Sequence, residues 1–304
     1  MAINTLEYAK IFQTELDKKI EEQLTSAWMD ANAGQVKYTG GDEVKIPKIS
    51  LVGLGDYDRD KGFKQGSVTL SYETKKLTQD RGRTFMLDSM DVDETNFVAS
   101  AGMVMGEFQR LKVVPEVDSY RYSKIYEAAK TEHADTYTAT AKDILDKLDA
   151  DISTVQDAVG GSEPLVICIN RKVHAILNNA EGVNKYINVA DFNNGFISTK
   201  VKMFNDVPIL DVPSARFKTA YTFDAGDTTD KGGFTAASGA QEMNWIIIAR
   251  RAPIAVVKTD KIRIFEPNVN QNADAWKLDY RKYHDVWIKD NAMDGVLVNL
   301  PAQA

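Results

Sequence analysis

The sequence predicts an α+β fold, in which helical and extended segments occupy separate stretches of the chain. Apolar residues recur at helical spacing near the N-terminus, the period changes to two from Val44, and apolar strand-like runs return from Trp245 onward. Helical patterns and strand patterns that are grouped in this way are typical of α+β domains. With 304 residues, the chain is long enough for two compact domains or one large one.

The first predicted element is an amphipathic helix of about seven turns near the N-terminus. Its apolar stripe contains Leu6, Ala9, Phe12, Leu16, Ile20, Leu24 and Trp28. The opposite side carries acidic and basic residues such as Glu15, Lys18 and Glu22. A helix with one apolar side needs a surface to cover it, either its own body or that of a neighbour, and we predict inter-subunit contacts for part of the stripe. The predicted contact residues are Phe12, Leu16, Ile20, Leu24 and Trp28.

The second predicted element is a long antiparallel hairpin. Apolar residues alternate from Val44 to Leu54 and again from Val68 to Tyr72, and between them lies a charged segment with several glycines, Gly55–Gly66. An isolated two-stranded ribbon is only marginally stable in water, so we expect a partner surface for it. The predicted contact residues at its tip are Asp58, Arg59, Asp60, Lys61, Phe63 and Lys64, with Phe63 as the apolar anchor.

The middle of the chain has an α/β texture, and the C-terminal part is again rich in strands. After a strand at Thr84–Leu87, a helix is predicted through Phe97 and Leu111, and Pro115 is expected to interrupt it and begin a second helix that runs to about Lys130. The Gly-, Thr- and Asp-rich stretch Asp224–Ala240 is predicted to be a mobile surface loop. The other predicted helices are Thr138–Ile152 and Arg171–Asn178, and the other predicted strands are Leu165–Ile169, Val207–Pro213, Trp245–Ala249, Ala255–Val257, Ile262–Glu266, Lys277–Val286 and Gly295–Leu300.

Composition excludes several classes of protein. The formal net charge is −7, so the chain lacks the overall basic field of a protein that binds nucleic acid without sequence preference. Its single cysteine, Cys168, lies in an apolar run and is expected to be a buried core residue, as suits a reducing cytoplasm. No secretion signal and no apolar run of about 18 residues, the length of a membrane span, is apparent.

The sequence predicts no catalytic, cofactor-binding or metal-binding residues. Gly40–Val44 differs by one residue from the signature of diguanylate cyclases, but too little chain precedes it for the α/β domain that this chemistry requires. A turn that leads into the hairpin is the simpler interpretation. Asp56–Asp60 lacks the glycine and the closing glutamate of a calcium loop. The three histidines, His133, His174 and His284, lack the spacing of metal ligands.

Four segments, in this order, resemble major capsid proteins of tailed bacteriophages with the Hong Kong 97-like fold, in particular phages of low-GC Gram-positive hosts. They are Gln79–Asp88 followed by Asp93–Asn96, Val113–Ile125, Phe204–Ser214 and Arg281–Ile288. The resemblance covers nearly the whole chain. It implies an N-terminal arm, an extended loop that overlaps a neighbouring subunit, a peripheral domain with a long spine helix, and an axial domain.

The resemblance also implies domain boundaries and partners. The N-terminal arm would comprise residues 1–40, the extended loop 41–79, the peripheral domain 80–130 and 244–304, and the axial domain 131–243. Copies of the chain would form pentamers and hexamers of an icosahedral shell in the virion, after assembly in the host cytoplasm. A separate scaffolding protein, a portal and packaged double-stranded DNA are the other implied partners.

Three alternatives to a phage capsid protein are considered. An encapsulin-like shell protein would share the fold but enclose protein cargo. A nucleotide-cyclising enzyme would use Gly40–Val44, and a soluble α/β binding protein would remain monomeric. The extended hairpin and the apolar N-terminal stripe favour self-assembly over a monomer, since a single subunit leaves both elements without a covering surface.

Overall fold

The computed structural model describes residues 24–38, 41–60, 62–89, 98–181, 187–194, 197–227 and 231–302. Both helices and sheets are present, in keeping with the α+β prediction. Predictions that concern residues 1–23, including Phe12, Leu16 and Ile20, lie outside the described residues, and so does Lys61.

The predicted hairpin is confirmed as a long antiparallel ribbon. Strand β1 (Lys37–Tyr38) pairs with β2 (Glu43–Leu51), and β2 pairs with β3 (Val68–Lys76) from Glu43 opposite Lys76 to Leu51 opposite Val68. Gly41 enters β2 with a φ of 65°, a backbone conformation that favours glycine. The Gly40–Val44 motif therefore includes the turn that was predicted to lead into the hairpin.

A second sheet, in the order β13-β14-β4, is formed by long antiparallel strands. Its strands are β4 (Gln79–Asp88), β13 (Pro253–Phe265) and β14 (Ala275–Ile288). The segments Ala255–Val257 and Ile262–Glu266, predicted as two strands, belong almost wholly to the single strand β13, which has a bulge between Val257 and Thr259.

One helical rod packs on the inner face of this sheet. Helix α1 (Val98–Phe108) continues through a π-helical turn (Gln109–Val113) into α2 (Val114–Ala129). The predicted interruption at Pro115 is corrected, because Pro115 occupies the first turn of α2, where its missing N–H disturbs the helix least. The Val114 N–H bonds to the carbonyl of Gln109, so the chain inserts one extra residue rather than breaking the rod.

The largest sheet has, among the described residues, seven strands in the order β5-β15-β12-β6-β9-β8-β7. These are β5 (Ala134–Thr136), β6 (Leu165–Asn170), β7 (Ile187–Asn194), β8 (Ile197–Phe204), β9 (Val207–Val212), β12 (Trp245–Ala249) and β15 (Val296–Leu300). The central strands β6 and β12 are buried at every position, as their continuous apolar sequences require.

The pairing of β12 with β6 bears on the proposed domain boundary. Trp245–Ala249 and Val296–Leu300 were assigned to the peripheral domain, yet both lie in the sheet of the proposed axial strands. A boundary at residue 243 would cut through this sheet. We therefore propose that β12 and β15 belong to the axial domain. The peripheral domain would then contain β13 and β14, which pair with each other beside β4.

Two further predictions about the middle of the chain are corrected. Helix α3 spans Ile144–Val159 rather than Thr138–Ile152, because turns occupy residues 141–143 and the Tyr137 backbone N–H is bound to the Leu300 carbonyl. The predicted mobile loop Asp224–Ala240 contains strand β11 (Gly233–Ala236), which pairs with β10 (Tyr221–Asp224) as a hairpin. The prediction for helix α4 (Arg171–Asn178) is confirmed.

Three apolar clusters form the described core. The largest lies around the seven-stranded sheet with α2 and α3, and the second lies between the helical rod and the β13-β14-β4 sheet. The third is small and lies at the base of the ribbon, where Val44, Ile46 and Leu77 pack on Ile254 and Val256. This third cluster is the apolar attachment of the ribbon to the body of the subunit.

Candidate interaction surface

The two faces of the ribbon differ sharply in character. Directly opposed residues of an antiparallel pair point to the same side, so the register assigns each side chain to a face. One face, here called the seat face, carries Val44, Ile46, Lys48, Glu73 and Lys75. The other, here called the apolar face, carries Pro47, Ile49, Leu51, Val68, Leu70 and Tyr72.

The seat face contacts the body of the subunit. Val44 and Ile46 are buried in the third cluster. Next to them, the Lys48 ammonium lies 3.2 Å and the Lys75 ammonium 3.8 Å from carboxylate oxygens of Asp290. Burial acts to raise the pKa of Asp290, but the hydrogen bond from Lys48 and the charge of Lys75 outweigh it and lower the pKa. The seat face therefore attaches the ribbon to the body of the subunit.

The apolar face is uncovered. Leu51 is 68% exposed and Val68, directly opposite, is 71% exposed, and the adjacent pair Ile49 and Leu70 is also exposed. Since side chains alternate along a strand, these residues lie on the side opposite to the seat face. The apolar face therefore points away from the cluster that attaches the ribbon, and among the described residues none covers Leu51 or Val68.

The tip of the ribbon, residues 55–66, displays an aromatic pair. The rings of Tyr57 and Phe63 meet edge to face with centroids 5.0 Å apart, and Phe63 is still 89% exposed. A local bridge shapes the turn, with the Gly62 N–H donating to the Asp58 carbonyl at 2.7 Å and Gly62 at a φ of 77°. Leu54, just before the tip, is also fully exposed.

The described residues of the predicted tip contact set lie together at this end of the ribbon. Arg59, Asp60, Phe63 and Lys64 are exposed, and Asp58 is half-buried because its carbonyl and carboxylate shape the turn. Their position is compatible with contacts to a neighbouring subunit, and such contacts remain a prediction. The sequence prediction omitted the apolar face, although the uncovered alternation of Ile49, Leu51, Val68 and Leu70 was its signal.

The structure corrects the predicted contact role of Leu24 and Trp28. Both side chains are buried in the subunit's own core, Leu24 in the second cluster and Trp28 in the largest one. Neither is available to a neighbour. Trp28 also lies in a 3-10 helix, Ala27–Gln35, rather than in the last turn of a long α-helix.

A buried carboxylate holds the residues just before this 3-10 helix. Asp118 on α2 accepts hydrogen bonds from the backbone N–H and the hydroxyl of both Thr25 and Ser26, at 2.7–3.2 Å. Arg216 donates to the same carboxylate at 3.3 Å, and the neighbouring Arg121 pairs with Asp30. These contacts fix the chain to the helical rod from residue 25 onward.

Two titratable groups that the sequence analysis considered, Asp42 and Cys168, are paired or buried. Asp42, of the Gly40–Val44 motif, pairs with Lys76 at 3.1 Å, and the hydrogen bond from Lys76 lowers the pKa of Asp42. Burial raises the pKa of the Cys168 thiol to about 12. Within the described part of the chain, no group of three His, Cys, Asp or Glu side chains is arranged to hold a metal ion. The described helices include none long and apolar enough to cross a membrane.

Comparison with known proteins identifies the fold. No family model and no curated protein matches the sequence. The capsid of the cyanophage P-SCSP1u superposes with a TM-score of 0.61 at 11% identity, over 88% of this chain and 86% of that one. The mature capsid of bacteriophage PhiM1 gives a TM-score of 0.56 at 16% identity, over 87% and 83%.

A virus-like particle from Pyrococcus furiosus shares the fold as well, with a TM-score of 0.51 at 14% identity, over 96% of this chain and 99% of that one. At these identities the likeness establishes the fold. The chain therefore has the α+β fold of capsid subunits, and the fold-class prediction is confirmed.

Proposed function

We propose that the chain is the major capsid protein of a tailed bacteriophage and that its role is structural rather than catalytic. Copies of it would assemble as pentamers and hexamers into an icosahedral shell that encloses double-stranded DNA. The fold shared with phage capsids supports this proposal, and so does the uncovered ribbon.

The observation that carries the proposal is the direction of the apolar face. The described body holds the ribbon through the opposite side and leaves Ile49, Leu51, Val68 and Leu70 exposed. Burying one such side chain contributes about 1.5–3 kcal/mol. A neighbouring copy of the chain is the partner that a shell supplies at every position.

The mechanism of assembly would be the addition of many modest contacts. Each subunit of a shell touches several neighbours, so weak interfaces add up through multivalency and the closed shell is stable although single contacts are not. The exposed charges at the tip, such as Arg59, Asp60 and Lys64, would fix the register of contact rather than its strength, since exposed ion pairs contribute about 0–1 kcal/mol each.

Other partners and the location follow from the same proposal. A scaffolding protein and a portal would take part in assembly in the host cytoplasm, and the finished subunit would reside in the virion. The net charge of −7 would suit packaged DNA, because a strongly basic lining would bind phosphates and resist packing and release. No sequence-specific DNA contact is proposed.

A double substitution on the apolar face tests the proposal. Leu51→Thr with Val68→Thr removes two exposed apolar side chains at one level of the ribbon, so folding should be little affected and shell contacts weakened. Electron microscopy of the purified protein should show closed shells for the natural chain, given its scaffolding partner if one is needed, and free subunits for this variant.

The matched control lies at the neighbouring level of the ribbon, on its other face. Ser50 and Thr69 oppose each other there, and Ser50→Thr with Thr69→Ser leaves the apolar face intact. This variant should close shells like the natural chain. Normal shells from the Leu51→Thr, Val68→Thr variant would contradict the role of the apolar face.

An encapsulin-like shell is the second candidate, because the virus-like particle from Pyrococcus furiosus matches over nearly its whole length. Assembly would proceed through the same ribbon, and the difference lies in the contents. Particles purified from an infected or lysogenic host would contain genome-length DNA under the capsid proposal, whereas protein cargo without DNA would favour the alternative.

A further inference from the structure

The β10–β11 hairpin has little packing of its own. Its strands, Tyr221–Asp224 and Gly233–Ala236, are half-buried or exposed at every position, and so are the described residues of the turn between them. The two strands pair only with each other. Because an isolated two-stranded hairpin is at best marginally stable in water, this hairpin keeps its position through contacts with the rest of the subunit.

The base of the hairpin is anchored in the proposed axial part of the chain. Phe217 and Met243 are fully buried there, and the Met243 N–H donates to the Phe217 carbonyl at 3.0 Å. The Thr219 N–H donates to the Gln241 carbonyl at 2.9 Å. Burial decreases from this base toward the end of the hairpin. The end is therefore the part that local opening would release first.

Two arginines of β4, in the proposed peripheral part, hold the end of the hairpin. Arg81 donates to the carbonyls of Asp224 and Gly233 at 2.9 and 3.1 Å. Arg83 donates to the Lys231 carbonyl at 2.9 Å. All three acceptors are backbone carbonyls, so this attachment requires the arginines but does not depend on the side chains of the hairpin.

Between these hydrogen bonds the hairpin is not packed on the sheet. A cavity of 690 Å³ is lined by hairpin residues such as Gly226 and Phe234 on one side and by Phe85, Phe108 and Tyr280 on the other. Apolar burial is the main stabilising contribution for most packed elements. Because a gap lies at this interface, the hydrogen bonds from the arginines supply a large share of the attachment.

The strand that carries these arginines also continues the ribbon. Leu77 and Thr78 are the two residues that separate β3 from β4. The backbone N–H and the hydroxyl of Thr78 donate to one oxygen of the buried Asp285 carboxylate, at 2.9 and 3.0 Å. The Tyr120 hydroxyl donates to the other oxygen at 2.7 Å. The root of the ribbon and the helical rod are therefore bound to the same carboxylate.

Tyr120 connects this root to the hairpin. Its ring meets the Phe223 ring edge to face with centroids 5.7 Å apart, and the Arg81 guanidinium lies over the Phe223 ring at 5.8 Å. Glu116, one turn before Tyr120 on α2, accepts a hydrogen bond from Arg81. A movement of the ribbon root would thus reach the hairpin along β4 to Arg81 and through Tyr120 to Phe223.

We propose that the β10–β11 hairpin is a releasable strap between the axial and peripheral parts of the subunit, and that its attachment depends on the position of the ribbon root. When the strap is held, Arg81 and Arg83 join the two parts. When it is released, the base at Phe217 and Met243 stays in place and the two parts can change their relative orientation.

The use of this strap rests on the proposed function, because a shell of pentamers and hexamers places one chain in unequal surroundings. The strap itself is a property of the free subunit and can be measured there. Its failure and the failure of shell assembly are therefore separate results.

Hydrogen exchange of soluble full-length subunits, followed by mass spectrometry, measures release of the strap. Arg81→Met with Arg83→Met removes the donors and keeps long side chains. The amides of Tyr221–Asp224 and Gly233–Ala236 should exchange at least tenfold faster in this variant, whereas those of β6 should be unchanged. An unchanged hairpin would overturn the proposal, and so would an equal increase in β6, which would reflect general unfolding.

The matched control is Arg263→Met. Arg263 is an exposed arginine of β13 in the same sheet and does not line the cavity, so this variant should exchange like the natural chain. Arg83→Met alone keeps the pair of Arg81 with Glu116 and should give an increase between those of the control and the double variant. If the double variant does not fold, an unchanged hairpin in Arg83→Met would overturn the proposal.

Thr78→Val tests the link to the ribbon root. It removes a hydroxyl that binds Asp285, and the described hydrogen bonds of Thr78 are to Asp285 and Tyr120 rather than to the hairpin. The hairpin amides should nevertheless exchange faster. Thr69→Val is the control, because Thr69 is an exposed residue of β3 farther along the ribbon. Equal hairpin exchange in the two valine variants would overturn the dependence on the ribbon root.

Discussion

Asp118 acts as the attachment point between the start of the described chain and the helical rod. Its carboxylate is fully buried and accepts from Thr25, Ser26 and Arg216. A buried carboxylate is stable only when its oxygens are bonded in this way. The four donors from Thr25 and Ser26 fix the first described residues of the chain to the helical rod.

His284 gives the folded subunit a predictable pH dependence. Its pKa is lowered in the folded state by burial and by neighbouring cations, whereas in the unfolded chain it returns to about 6.5. The unfolded state therefore binds one more proton as the pH falls below this value, and the folded state is disfavoured. The contribution is fully present above pH 6.5 and decreases by up to about 1.4 kcal/mol per pH unit below it.

Urea unfolding of free subunits at pH 7.5, 6.5 and 5.5 measures this contribution. The natural chain should lose stability over this range, and His284→Gln should lose less, because glutamine does not titrate. The substitution His133→Gln, at a half-exposed position, is the control and should leave the slope close to that of the natural chain. Parallel slopes for the natural chain and His284→Gln would contradict the assignment.

Individual contact residues were only partly predictable from the sequence. The helical spacing of Leu24 and Trp28 correctly marked them as residues that need burial. It could not reveal that their own body buries them, because the partner residues, such as Met105 and Val114, are distant in sequence. Asp118 likewise appeared as one acidic residue among many, since only the fold brings Thr25 and Ser26 to it.

At the scale of elements, strand patterns were the most reliable. The alternation in β2 and β3 predicted the ribbon, and the continuous apolar runs predicted β6 and β12. Which face of the ribbon is covered depends on register and on Ile254 and Val256, about two hundred residues away. The π-helical turn was not predictable either, because Pro115 is compatible with a break as well as with a continuous rod.

Strand β4 contains a glycine that its pairing with β14 requires. A Cβ added at Gly82 would lie 2.7 Å from the Tyr280 carbonyl oxygen, which is backbone and cannot move aside without shifting the strand. We predict that Gly82→Ala destabilises the subunit by roughly 1–3 kcal/mol, the usual cost of overpacking. Urea denaturation of unassembled protein measures the change.

Gly161→Ala is the matched control for this prediction. Gly161 is exposed, and a Cβ there would meet no heavy atom within 4 Å. Its substitution should change the free energy of unfolding by less than about 0.5 kcal/mol. Equal stabilities of the two alanine variants would indicate that β4 can move away from β14 at little cost.

At the scale of the whole molecule, the subunit combines a well-packed body with a projecting ribbon. The body satisfies its own apolar residues through three clusters, whereas the ribbon leaves one face and an aromatic tip uncovered. The fold class and the order of elements followed from the sequence and its resemblance. The pairing of β12 with β15 and β6 was not predictable, because these strands are distant in sequence, and the domain boundary near residue 243 stays a prediction.

Deletion of Asp56–Gln65 separates folding from assembly. The deletion removes the tip but leaves the base of the ribbon and all three clusters in place. We predict a soluble subunit with nearly unchanged thermal stability that does not close shells, measured by melting and by electron microscopy. Phe63→Ala should have a weaker effect in the same direction, with closed shells only at higher subunit concentration.

The control for the deletion is Arg59→Ala, which removes an exposed charge from the same tip. Its effect on assembly should be small, because such charges contribute about 0–1 kcal/mol. Particles of normal size and yield from the deletion variant would refute the role of the tip.

The position of Cys168 has a practical consequence for chemical labelling. The chain has one cysteine, it lies in the centre of β6, and burial keeps its thiol protonated at neutral pH. Since the thiolate is the reactive form, maleimides and disulfide reagents should leave the folded natural subunit unmodified. A single cysteine introduced at the exposed position of Lys64 would then be the only reactive thiol, so that dyes or cargo could be attached to a particle at one defined site per subunit.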